Sequence, residues 1–173
     1  MSEPEVRSSR PIYQGRIFTV TVDRVRLPHG PEVDLEVVHH PGSVVMICVP
    51  GPGRIVLVQQ YRYCAGRDLW EIPAGSLAGD EDPEAGARRE CHEEIGQVPE
   101  TVLRLGALFP TPGYCDEEMV FFRVSGLSEP TTQAAVDEDE DIEVRTFTLR
   151  EARDMVRCGE IIDMKTVVGL GMI

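Results

Sequence analysis

Glu90, Glu93 and Glu94 stand at offsets i, i+3 and i+4, and this spacing limits what the surrounding segment can become. On a helix, those offsets put all three carboxylates on one face. Like charges that close repel, so the arrangement is unfavourable unless a cation sits among them. Hard divalent cations such as Mg2+ take oxygen ligands of this kind. The segment carries its own helix signals. Asp82 suits the N-cap and Pro83 the first helical position, and Gly96 suits a left-handed residue that ends the helix. Ala87, Cys91 and Ile95 recur every fourth residue and can face a core. Arg89 can reach back to Glu81 and orient a ligand. The competing reading is a solvated Glu/Arg helix, as for most charge runs.

The upstream spacing favours the cation. Gly75, five residues, Glu81 and seven residues lead into Arg89-Glu90-Cys91-His92-Glu93-Glu94-Ile95-Gly96. This string resembles the Nudix box, Gly-x5-Glu-x7-Arg-Glu-U-x-Glu-Glu-x-Gly-U with U aliphatic. Every charged and glycine position matches. Cys91 and Gln97 replace two aliphatic positions, and neither belongs to the ligand set.

The rest of the composition narrows the function. A chain of 173 residues fits one domain with an extra arm. The net charge of −13 argues against nucleic acid as a partner, because phosphate backbones are held by Lys and Arg. It does not oppose a small phosphorylated ligand held through a metal. Cys48, Cys64, Cys91, Cys115 and Cys158 show no CxxC pair, so zinc and redox motifs are unsupported. No apolar run has signal-peptide or membrane length, and a reducing cytoplasmic compartment is the simplest expectation.

Along the chain, residues 1 to 10 read as polar and mobile. Alternation from Ile12 predicts a strand to about Arg26. Pro28-His29-Gly30-Pro31 predicts a turn, and Val33 to His39 a returning strand. The continuous apolar run Val44 to Val49 predicts a fully buried strand, followed after Gly51-Pro52-Gly53 by Ile55 to Gln60. Val102 to Phe109, Met119 to Val124 and Val144 to Phe147 predict further strands. Thr148 and Glu151 form a capping box for a helix over 149 to 158. Glycines and methionines blur the helical pattern that follows Asp163. This order predicts an α/β fold, a mixed sheet covered by helices on both sides. The Nudix resemblance implies the same α/β/α sandwich, preceded by an antiparallel hairpin. The expected division is an arm and hairpin over 1–40 and a hydrolase domain over 41–173.

Three stretches outside the box resemble the ADP-ribose pyrophosphatase branch of that family. Glu71-Ile72-Pro73-Ala74-Gly75 matches its lead-in, which implies a metal contact from the Ala74 carbonyl and a substrate role for Glu71. Arg62 stands where family members carry a substrate arginine, and its fork suits a diphosphate. A surface arginine is the alternative. Pro112, sixteen residues past Gly96, opens a loop resembling the one that presents a glutamate to the attacking water. Glu117 matches that position, and Glu118 replaces it if the register slips by one. The run Asp139-Glu140-Asp141-Ile142-Glu143-Val144 resembles the opening of that branch's last strand. His92 reads as a surface residue, and His39-His40 suggests no metal site.

The resemblance implies Mg2+-dependent (or Mn2+-dependent) hydrolysis of the diphosphate in a nucleoside diphosphate derivative, with ADP-ribose the leading substrate. It implies Ala74, Glu90, Glu93 and Glu94 as metal ligands, Arg89 as their orienting residue, and Glu117 or Glu93 as the base. Ile17 or Phe18 is the candidate for stacking on the nucleobase. A homodimer built partly by the hairpin is expected. Another nucleotide sugar as substrate, or a sensing module without catalysis, remain alternatives.

Overall fold

The computed structural model describes residues 3–131 and 142–173. Asp139, Glu140 and Asp141, singled out above, lie outside them. The chain divides into two compact units. One takes residues up to Gly42 together with Phe109–Glu118, and the other takes Ser43–Leu108 with Met119–Ile173.

The first unit is a three-stranded antiparallel meander of β1 (Glu5–Gln14), β2 (Thr19–Arg26) and β3 (Glu32–His39). Here two sequence expectations fail. The N-terminal stretch is not a mobile arm, since Glu5 to Gln14 pairs along β2. The single strand from Ile12 to Arg26 is instead broken by a turn in which Gly15 N–H donates to Phe18 O at 3.0 Å. Strand β1 is exposed at every position, so it carries no in–out alternation by which a strand is recognised. Pro11 stands on this edge strand beside a register shift, where a missing N–H is tolerated.

In the second unit, β4 (Ser43–Cys48) lies in a mixed sheet of order β7-β4-β9-β8, with β7 at Ala74–Ser76, β8 at Val98–Leu108 and β9 at Met119–Ser128. Strands β4 and β9 run parallel. A second, antiparallel sheet has the order β10-β5-β6, from Glu143–Thr148, Arg54–Arg62 and Arg67–Glu71. The helices are α1 (Pro83–Ile95), α2 (Leu149–Cys158) and α3 (Met164–Gly171).

The apolar runs are explained by burial on both faces. Val44, Met46, Cys48, Val56 and Val58 pack with Ala87, Cys91 and Ile95 of α1. Their neighbours Val45, Ile47, Ile55 and Leu57 pack with Ala152, Met155 and Leu170 of α2 and α3. A strand with a helix layer on each side has no polar face, so its sequence is continuous rather than alternating. This is the α/β/α sandwich that the element order predicts. Strand β8 starts at Val98, four residues earlier than the apolar pattern indicates, because the chain turns directly from the Gly96 cap into pairing with β9. Among the described residues, no helix is long and apolar enough to cross a membrane.

Candidate active site

Helix α1 is fixed at both ends by the residues that announce it. Asp82 accepts the Ala85 N–H at 3.0 Å. Gly96 sits at φ 64°, where an L side chain is disfavoured, and its N–H returns to Cys91 O. The helix therefore has a set length and phase. Its Cys91 face enters the core, and Glu90 and Glu94, flanking that face, are only 9% and 8% exposed.

Arg89 organises the cluster. Its Nε and Nη2 donate to the two oxygens of Glu81 at 2.9 and 2.8 Å. Its Nη1 donates to Glu90 Oε1 and Glu93 Oε2, both at 2.7 Å, and Nη2 also reaches the Ser76 carbonyl at 3.1 Å. A guanidinium has five N–H groups, and all five are used. Glu81 also accepts the Ala78 N–H at 3.1 Å. The Arg89 hydrogen bonds hold the Glu81 carboxyl below the usual glutamate range. Glu81 in turn leads the carboxylates that raise Arg89 well above its ordinary value. Lysine, a compact point charge, has no equivalent of this fork.

The lead-in strand meets the helix through two close contacts. Ala74 N–H donates to Glu94 Oε2 at 3.0 Å. A β-carbon at position 75 would fall 1.9 Å from the Glu90 carboxyl carbon, so only glycine leaves room for that carboxylate. Three glutamates thus surround one arginine, with Glu94 beside them on the same helix. Among the described residues, no three His, Cys, Asp or Glu side chains close into a ready-made ion cage. The donor chemistry still fits a hard divalent cation. The oxygens are carboxylates, negative charge exceeds positive, and Glu90 and Glu93 already bracket one cationic nitrogen.

On the second sheet, Arg62 Nε and Nη2 grip Glu71 Oε1 and Oε2 at 2.8 and 2.7 Å. Glu71 is 2% exposed. Burial alone would raise its carboxyl, but Arg62 and Lys165 outweigh burial and hold it below the ordinary range. Arg62 keeps a substantially exposed side chain.

A profile of the NUDIX domain matches residues 38–163. The chain belongs to the Nudix family of pyrophosphohydrolases. A second profile, the nucleoside diphosphate sugar hydrolase N-terminal domain, matches residues 5–35. This Nudix chain is 36% identical to the methanol dehydrogenase activator of Bacillus methanolicus, over 97% of its own length and 91% of that protein. It is 34% identical to the ADP-ribose pyrophosphatase of Bacillus subtilis, over the same shares. It is also 36% identical to the ADP-ribose pyrophosphatase of Mycobacterium tuberculosis, over 96% of the chain and 81% of that protein. A solved structure described as an ADP compounds hydrolase superposes with a TM-score of 0.84 over 99% of this chain and 92% of its own, at 18% identity. That likeness shows a shared fold.

The remaining candidates of the Nudix chain lie in the first unit. Glu117 is half-buried and 3.8 Å from His40 Nδ1, whereas Glu118 is exposed. The loop before them is tied to β3. Val38 N–H donates to Tyr114 O at 2.7 Å and Asp116 N–H to Val38 O at 3.1 Å. His39 Nδ1 meets Asp116 Oδ2 at 2.6 Å, and His40 N–H donates to Asp116 Oδ1 at 2.8 Å. The histidine pair, which the sequence left without partners, is thus the anchor of this loop. Ile17 and Phe18 are both exposed, and Phe18 lies against Tyr13 with ring centroids 5.8 Å apart. His92 is half-buried.

Sequence reasoning missed Asp163, Lys165 and Thr166. One signal was available: Lys165 is the chain's only lysine, the other sixteen basic residues being arginines.

Proposed function

We infer that this protein hydrolyses the diphosphate of ADP-ribose to AMP and ribose 5-phosphate. The observation that carries this reading is the Arg89 clamp, which presents Glu81, Glu90 and Glu93 as one ordered set beside Glu94. The matched family and the two similar ADP-ribose pyrophosphatases support the reaction class.

Glu90, Glu93 and Glu94, with the Ala74 carbonyl, would hold Mg2+, or Mn2+ in its place. When bound, such an ion neutralises phosphate charge and makes a bound water acidic. Arg89 keeps the glutamates in place. Glu71 aims Arg62, whose free N–H groups take diphosphate oxygens. Glu117 accepts the proton of the attacking water, with Glu118 and Glu93 as the alternative bases. The water oxygen bonds to one phosphorus, the bridging P–O bond breaks, and the second phosphate leaves with its sugar. Ile17 or Phe18 supplies an apolar face for the base.

The N-terminal profile match favours one further reading, a different nucleoside diphosphate sugar as substrate. Phosphate release from a panel of ADP-ribose and other nucleotide sugars, coupled to a phosphatase in Mg2+, separates the two. ADP-ribose should give the highest kcat/KM. No release from any compound would sink catalysis and leave a sensing module.

In the proposed division, residues 1–40 serve assembly and the base pocket, and residues 41–173 the chemistry. A homodimer is supported by the exposed apolar side chains of the meander, which include Val6, Ile12, Tyr13 and Leu35, and two-fold dimers are the commonest oligomers. Light scattering should give twice the 19.2 kDa chain mass. The double variant Val6→Asp/Ile12→Asp should halve that mass and raise KM. A wild-type monomer at micromolar concentration would contradict the dimer. Five cysteines, all free even where Cys48 and Cys91 sulfurs lie 3.7 Å apart, suit a reducing cytoplasm.

A further inference from the structure

We propose that Lys165, the only lysine of the chain, is the positioning residue that aims Arg62 at the substrate diphosphate. The proposal rests on the reading of Arg62 as a diphosphate contact. Lys165 lies in the first turn of α3, and its residue is 8% exposed. Its Nζ donates to Glu71 Oε2 and lies 3.1 Å from Asp163 Oδ2. The same Glu71 carboxylate is gripped side-on by Arg62. Arg62 spends Nε and Nη2 on that grip, which leaves the Nη1 end of the fork for a ligand.

The surrounding contacts hold Lys165 itself in place. Asp163 caps α3, accepting the Thr166 N–H at 2.9 Å and the Thr166 hydroxyl at 2.5 Å. Thr166 Oγ1 accepts the Ile72 N–H at 2.7 Å. One helical turn therefore fastens Glu71 through its side chain and Ile72 through its backbone. Two positive and two negative groups, Arg62, Lys165, Glu71 and Asp163, balance in this network. A compact ammonium can sit between the buried Glu71 and the half-buried Asp163 carboxylates. Without Lys165, a 2% exposed carboxylate loses a charged donor. Such a group turns towards its remaining partner or takes up a proton, and Arg62 moves with it.

The test compares wild type, Lys165→Met, Arg62→Ala and the double variant, with ADP-ribose as the probe. Lys165→Met should raise KM roughly 10-fold with kcat changed by less than about 3-fold, the signature of lost ground-state binding. The dissociation constant by calorimetry in chelator should rise in parallel. In the Arg62→Ala background, Lys165→Met should add nothing, because neighbours acting through one group are not additive. A folded Lys165→Met protein with unchanged KM, or an additive double variant, overturns the proposal.

A second measurement needs no Lys165 variant. In protein labelled with 15N-lysine, the single Nζ signal should shift on saturation with ADP-ribose in wild type and stay fixed in Arg62→Ala. A wild-type signal unmoved by bound ADP-ribose also overturns the proposal. Failure of the functional reading looks different, since wild type would then neither bind nor turn over ADP-ribose.

Discussion

Replacing Glu94 with glutamine should lower turnover about 10³-fold at saturating Mg2+, a loss of roughly 4 kcal/mol in transition-state stabilisation. The chain should stay folded. Glu94 accepts the Ala74 N–H through one oxygen, and a glutamine amide oxygen can keep that bond while the charge disappears. The lead-in strand therefore stays attached to α1, and only ion binding suffers. Three close carboxylates repel when no ion is present, so the variant without metal should melt at the same temperature as wild type or higher. Calorimetry of Mg2+ binding without nucleotide separates the two effects. Full turnover by Glu94→Gln would remove this residue from the ligand set. A large drop in melting temperature would mean that its charge is structural instead.

The second large effect is expected at Glu117. Glu117→Gln should lower kcat by about 10²-fold, the usual share of a general base, with little change in Mg2+ affinity. The half-buried Glu117 beside His40 is held by a loop whose backbone is bonded to Val38. Its neighbour Glu118 is exposed. Glu118→Gln is thus the natural control and should be close to wild type. The reverse pattern would shift the base by one residue. Wild-type rates in both variants would direct the search to Glu93, which shares Arg89 with Glu90.

Local features were readable in the sequence. The caps of α1, the capping box of α2 and the Arg89–Glu81 spacing each lie within a few residues or two helical turns, and each depends on stereochemistry that travels with the residue type. The doubly buried β4 was readable because a short unbroken run of β-branched and apolar residues suits a strand covered on both faces. Strand β1 was not, because both its faces meet solvent and its pairing, rather than its pattern, makes it a strand. The His39–Asp116 anchor joins residues 77 positions apart, and nothing local to either residue reports the other. Lys165 was hidden in the same way, although its being the sole lysine was a clue that composition alone carried.

The fastening of Glu71 and Ile72 to Lys165 and Thr166 spans 94 positions in both cases. A ribosome delivers the chain from its N-terminus. The box helix has both of its caps once Gly96 has emerged. Arg62, the proposed diphosphate contact, must wait for a lysine made 94 codons after its own partner glutamate. A chain stopped before Lys165 therefore carries the glutamates of the box without the contact proposed to aim Arg62. Under the proposed roles, the grip on the diphosphate is therefore assembled later than the glutamate cluster.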